Sequence, residues 1–225
     1  MHPSEPSFMT SLKEATRELH DEIEGVPFHH RLAQGALTLD EYRTLLEALL
    51  FVHHSLERLR STLPEGPTLR CSQPLLHLSS ALEADIQDAV AGGADLLPGP
   101  QEEAHRYARK LEASGDPLLL LGHLYVLHGS LLGGLHLRRL FLATLPLQGD
   151  EMRYFGGFGD AVPRAWNQFR GLMNREGFDH FSGARIIQAA KDCFQELISL
   201  YSSFPATEAT FCLHHENEPA LQGLG

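Results

Sequence analysis

Leu12, Leu19 and Ile23 recur at helical spacing along the stretch Leu12 to Glu24, and charged or polar residues fill most positions between them. That pattern predicts an amphipathic helix with one buried face. Ser11 with Glu14 three residues on has the form of a capping box, so the helix is expected to start there. Phe28 to Gln34 reads as a short helical piece that Gly35 ends. Thr38 with Glu41 repeats the capping-box spacing and opens a long helix to about Arg60, with Tyr42, Leu45, Leu46, Leu49, Val52 and Leu56 inward. Pro64 to Pro67 closes it, and a helix from about Pro74 to Ala91 follows, its interior set by Leu75, Leu78, Leu82 and Ile86 and its end by Gly92-Gly93.

Gln101 to Ala113 is a more polar helix that stops at Gly115. Asp116-Pro117 supplies an N-cap and a first-turn proline for the next helix, which runs to about Leu145 and is apolar nearly all round, as a central helix would be. It nonetheless carries Gly129, Gly133 and Gly134 in its interior, each costing about 1 kcal/mol relative to alanine. Gly156-Gly157-Phe158-Gly159 reads as a loop, with Asp160 capping a helix to about Arg175. A last helix from about Ser182 to Ser203 turns Ile186, Ile187, Ala190, Phe194, Leu197 and Ile198 inward. No strand, hairpin or internal repeat interrupts this series, so the fold class is all-α, a single-domain helical bundle.

Composition narrows the picture. A chain of 225 residues with 43% hydrophobic content can bury one sizeable core. The expected division is a flexible N-terminus over 1–9, one domain over 10–204 and a disordered tail over 205–225. A net charge of -11 argues against a nucleic-acid or anionic-membrane partner. Cys71, Cys193 and Cys212 are too few and too scattered for a disulfide framework and read as reduced thiols, which points to the cytoplasm. The first eight residues lack the basic and apolar regions of a secretory signal, and Met9 is an alternative start. The apolar run from Leu118 to Leu147 is interrupted by His123, His128, His136, Arg138 and Arg139, so it reads as a core helix rather than a membrane span.

Few stretches carry chemistry. His20 sits beside the apolar stripe of the first helix, with Thr16 one turn before it and Lys13 nearly in line two turns before, roughly 10 Å along the axis. Alone, such a histidine is most often a half-buried residue touching water or a carbonyl. Gly129 and Gly133 lie one turn apart and leave a strip without Cβ atoms, which suits either a planar ligand or a packed helix. Other chemistries find no support. Glu102 with His105 is a lone Glu-x-x-His, where a di-iron bundle needs two, and neighbours in the pairs His29-His30, His53-His54 and His214-His215 point too far apart to chelate together. No GxSxG elbow, HExxH or phosphate-binding loop is present. What remains is His20 with Lys13, the glycine-broken helix, and Arg170 in the stretch FRGLMN from Phe169. Together they describe a sandwich: an axial imidazole, a bare surface opposite, and two cations for a pair of carboxylates.

The stretch LKEATRELH from Leu12 to His20 resembles the proximal helix of heme oxygenases, GSLLGG from Gly129 to Gly134 resembles their distal helix, and FRGLMN resembles their third signature. Order and separation agree over roughly residues 10 to 204, and the bacterial phytochrome-associated branch looks nearest. The resemblance implies a heme sandwiched between the first helix and the glycine-kinked central helix. His20 would be the iron ligand, and Lys13 and Arg170 would pair with the propionates. Gly129, Gly133 and Gly134 would cover the distal face, and Phe194 would line the pocket. It also implies cleavage of heme, as cofactor and substrate together, by O2 and electrons to biliverdin, ferrous iron and carbon monoxide. The electrons would come from a ferredoxin or flavoprotein reductase, and a bilin-accepting phytochrome would receive the product. Docking of an acidic donor on this acidic chain needs a local basic patch, for which Arg138 and Arg139, or Arg106, Arg109 and Lys110, are candidates, although each reads more readily as part of a solvated helix face.

Two departures stand out. Many family members carry an aspartate after the first distal glycine, where it holds a water network; here Ser130 can hydrogen-bond water but holds no charge. His128 stands where the phytochrome-associated branch tends to have glutamate, and the expectation is that it lies on the side away from heme. The principal rival reading is a protein that sequesters or delivers heme without turning it over. A thiaminase-like relative would need a cysteine or a carboxylate pair in the pocket, and His20 with Lys13 speaks against it.

Overall fold

Ser7, not Ser11, caps the first helix. Its hydroxyl accepts from the Thr10 N–H, and α1 runs Phe8–Glu24. The additional turn is fixed from outside the helix: the Met9 N–H donates to Asn174 Oδ1, and the Phe8 and Phe178 rings lie 5.4 Å apart. Met9 is buried, so the folded unit begins before residue 10. The computed structural model describes residues 7–148 and 151–206. Residues 1–6, most of the expected tail at 207–225, and Cys212 and the His214-His215 pair within it lie outside the described residues.

Nine further helices follow among the described residues: α2 (Pro27–Ala33), α3 (Leu39–Ser61), α4 (Pro67–Ser72), α5 (Ser79–Ala91), α6 (Pro98–Ser114), α7 (Pro117–Ser130), α8 (Gly134–Thr144), α9 (Ala161–Arg175) and α10 (His180–Ser202). No strand is present among the described residues, and the fold is all-α. The capping box of α3 is complete, with Thr38 Oγ1 accepting from the Glu41 N–H and Glu41 accepting from the Thr38 N–H. Every α3 residue read as inward is buried. Asp116 caps α7 through the Leu118 N–H, and Gly115 takes the left-handed φ of 59° that ends α6.

The pattern misplaced or missed four features. The helix expected from Pro74 begins five residues later, because a side chain from α3 defines its start: Glu57 accepts the Leu78 and Ser79 N–H groups and the Ser79 hydroxyl. The segment before it holds a separate helix, α4, opened by Pro67 where a missing N–H costs nothing. The long central helix is two helices, α7 and α8, separated by a 3-10 turn at Leu131–Gly133. Asp160 stands at the N-cap position of α9 but makes no side-chain cap bond.

The core is built around α7, which packs most extensively against α10. Gly122 permits that approach: a Cβ there would stand 2.5 Å from the Ala190 nitrogen and 2.6 Å from the Ala189 Cβ. By length and composition Pro117–Thr144 could cross a membrane, yet more than half of its most apolar window is buried inside the bundle. The chain between α8 and α9 is pinned to α5. Asp85, fully buried, accepts the Arg153 and Tyr154 N–H groups, each at 2.8 Å, and the Arg153 guanidinium at 3.0 Å. Arg153 also reaches Asp88 at 2.6 Å. Burial pushes the Asp85 carboxyl up more than these bonds pull it down, whereas Arg153, far more solvated, feels chiefly their attraction and is also raised.

Candidate functional site

A cavity of about 610 Å³ opens between α1 and α7 and runs inward toward α3 and α10. Its mouth is polar, with Lys13, Arg17, His20, Asp21 and Glu24 of α1, all exposed. Its interior is mostly apolar, formed by residues such as Leu45, Leu49, Val126, Phe155, Phe194 and Leu197. A hydrophobic cleft with a few convergent polar groups is the ordinary form of a site for an organic ligand.

His20 stands where an incoming molecule would meet α1. Its side chain is 58% exposed, and Nδ1 lies 3.4 Å from Glu24 Oε1, one turn on. A proton on Nδ1 facing that carboxylate leaves the Nε2 lone pair for a ligand, the arrangement by which metal-binding histidines are oriented. The Phe194 ring meets the His20 imidazole edge-on, with centroids 6.0 Å apart. Lys13 and Arg17 project from the same stretch of helix, and neither is ion-paired among the described residues. Two unpaired cations at the rim of an apolar cavity suit a ligand with an anionic edge.

Across the opening lie Tyr125, Gly129, Ser130 and Trp166. Tyr125 and Trp166 pack with ring centroids 5.7 Å apart, and a Cβ on Gly129 would meet the Trp166 ring at 3.4 Å. Ser130 donates to the Leu127 carbonyl at 2.8 Å, so its proton is spent inside the helix while its lone pairs stay available to water. Thr16 is similarly committed, donating to the Leu12 carbonyl at 2.9 Å. Burial pushes the Tyr125 hydroxyl up in pKa against the opposing pull of a hydrogen bond with Thr16 and of the nearby Arg170 guanidinium. On the inner wall, burial holds the His29 imidazole below its usual value against the attraction of Glu24.

Of the residues expected in the site, His20, Lys13, Gly129, Ser130 and Phe194 line this cavity. Three do not. Gly133 lies exposed in the 3-10 turn, with open space where a Cβ would be. Gly134 is buried against the turn before α9, its virtual Cβ 3.1 Å from the Gly156 nitrogen, so its smallness serves packing. Arg170 is exposed and acts on Tyr125 beside the mouth rather than lining the wall. His128 is buried away from the cavity, Nε2 3.1 Å from the Leu76 carbonyl. Arg106 and Lys110, read as docking cations, both contact Glu196 at 2.7 Å.

The pattern missed Arg17, Tyr125, Trp166, Tyr154 and Tyr201 on the cavity wall. Arg17 had a signal, one turn after Lys13 on the same face. The aromatic residues come from separate helices and loops and meet only through tertiary packing.

An all-α fold with an open pocket between its first helix and a broken central helix, a presented imidazole and cations at the rim defines a helical protein for a large amphipathic ligand. The sequence matches the heme oxygenase family over residues 6–203, and the chain belongs to that family. It is 29% identical to heme oxygenase 1 of Gallus gallus over 220 residues, covering 94% of this chain and 73% of that protein. It is 25% identical to heme oxygenase 1 of Synechocystis, covering 86% of this chain and 82% of that one. Its fold matches the heme oxygenase of Leptospira interrogans with a TM-score of 0.73 at 22% identity, covering 88% of this chain and all of that one. It matches the heme complex of Synechocystis heme oxygenase-1 with a TM-score of 0.72 at 23% identity, covering 87% and 91%.

Proposed function

We propose that this protein, as a heme oxygenase, opens the heme ring with O2 and externally supplied electrons, giving biliverdin, ferrous iron and carbon monoxide. The observation that carries the reading is His20, oriented by Glu24 at the mouth of a 610 Å³ apolar cavity. The residues fit an iron porphyrin: the interior matches an apolar ring, Lys13 and Arg17 match carboxylates at its edge, and His20 supplies a nitrogen donor. Heme supplies the oxidative chemistry and is itself the substrate.

The chain contributes binding and orientation. His20 Nε2 would hold the iron, with Phe194 packed beside that imidazole, and Lys13 and Arg17 would pair with the propionates, with Arg170 near Tyr125 adding positive charge. Gly129 would leave room for the ring, and Leu45, Leu49 and Phe155 would keep bulk water out. Ser130 accepts hydrogen bonds from water at the mouth. Gly133 and Gly134 act through the shape of the helix break. Electrons arrive from a ferredoxin or flavoprotein reductase, and a phytochrome that accepts bilins is the proposed recipient of the product. We place the activity in the cytoplasm, in keeping with Cys71 and Cys193 as free thiols.

Purified protein mixed with hemin tests this reading. The expected result is a histidine-ligated Soret band, followed by bilin absorption once reductant and air are added. The alternative of heme binding without turnover draws on one observation, the commitment of the Ser130 proton to the Leu127 carbonyl. A heme complex that yields no bilin under reductant and air would select it.

A further inference from the structure

One tyrosine on the cavity wall is held at both its backbone and its hydroxyl. Tyr154 lines the cavity and is 2% exposed. Its backbone N–H donates to the buried Asp85 carboxylate at 2.8 Å, which anchors the loop to α5. Its hydroxyl lies 3.2 Å from Nε2 of His53, a residue of α3 that is itself 2% exposed. The two rings meet edge-on with centroids 5.7 Å apart, and His128 packs against the far side of His53 at 6.2 Å. A side chain fixed at both its backbone and its tip by two different helices is defined in position far better than a core tyrosine needs for packing alone.

The other hydroxyls on the wall are differently placed. Ser130 and Thr16 donate into their own helices, and Tyr125 bonds with Thr16. Among the described residues no side chain hydrogen bond fixes the Tyr201 hydroxyl. His53 remains a neutral imidazole because burial, reinforced by His128, lowers its pKa to about 3. In either tautomer the Tyr154 oxygen keeps capacity for a further hydrogen bond: its own proton is free to donate when Nε2 is the donor, and a lone pair is free to accept when Nε2 is the acceptor.

We propose that the Tyr154 hydroxyl, positioned by His53, is the fixed hydrogen-bonding group that the cavity interior presents to small ligands and water beside the bound substrate. The proposal rests on the heme reading, and the test keeps the two apart. Hemin complexes of the wild type and of Tyr154→Phe, His53→Leu and His53→Gln are titrated with fluoride, a small anion that binds ferric heme and accepts hydrogen bonds. Loss of one hydrogen bond to a charged acceptor predicts about tenfold weaker fluoride binding in Tyr154→Phe, with hemin affinity retained. His53→Leu is expected to match it, and His53→Gln, which keeps a hydrogen-bonding group, to recover most of the wild-type affinity. A wild type that fails to bind hemin overturns the heme reading. Hemin bound normally with fluoride affinity unchanged in Tyr154→Phe overturns this inference alone, and a loss in Tyr154→Phe but not in His53→Leu removes the positioning role of His53.

Discussion

On the proposed reading, the missing Cβ of Gly129 serves a ligand rather than the fold. A methyl there would make ordinary contact with Trp166 at 3.4 Å, and alanine favours the helix by about 1 kcal/mol. Gly129→Ala is therefore expected to melt at or above the wild-type temperature while binding hemin more weakly, which thermal melts and hemin titration check together. A parallel loss of stability would show that the position is structural. His20, Lys13, Gly129, Ser130 and Phe194 were legible in the sequence because they sit in contiguous stretches with a recognisable order. Gly134 and Arg170 were read as site residues but do not line the cavity, because linear motifs mark which residues belong to a site's neighbourhood and not which way each one faces. Gly134 faces the Phe155-Gly156 backbone, and Arg170 stands beside Tyr125.

The helices were legible from period and caps wherever local signals governed them, as in α3 with its Thr38–Glu41 box. Boundaries failed where tertiary contacts ruled: Asn174 extends the hold on α1 to Met9, and Glu57 starts α5. Gly122 gave no pattern signal at all, since only the approach of α10 makes its smallness necessary. Gly122→Ala should improve intrinsic helix propensity yet cost about 1–3 kcal/mol through overpacking against Ala189 and Ala190. Chemical denaturation reads that sign directly, and a stabilised variant would contradict the packing described. The Asp85 clamp makes a second prediction at this scale. Asp85→Asn keeps one carbonyl acceptor but loses the second acceptor for the backbone N–H groups and the attraction to the half-exposed Arg153, a loss of about 1–3 kcal/mol by urea denaturation, with Tyr154 displaced from the cavity wall.

Across the whole molecule, three buried histidines tie stability to pH. Burial holds His53 at about 3, and His123 and His128 at about 4. An unfolded histidine titrates near 6.5. Below that value the unfolded chain binds more protons than the folded one, so their contribution is intact above about pH 6.5 and is lost as pH falls toward 4 and 3. By pH 5 each accounts for roughly 2 kcal/mol, and the urea midpoint should drop clearly between pH 7.5 and 5. A flat midpoint over that interval would contradict neutral burial. The net charge of -11 shapes association as well: Glu196 engages Arg106 and Lys110, which leaves these two cations less available to an acidic partner.

The central claim is that His20 holds the iron. Hemin titrated into the wild type and into His20→Ala, with and without free imidazole, tests it most directly. The account predicts a histidine-type Soret band in the wild type, its loss in the variant, and its return when imidazole fills the space the side chain vacated. An unaltered band in His20→Ala would contradict it.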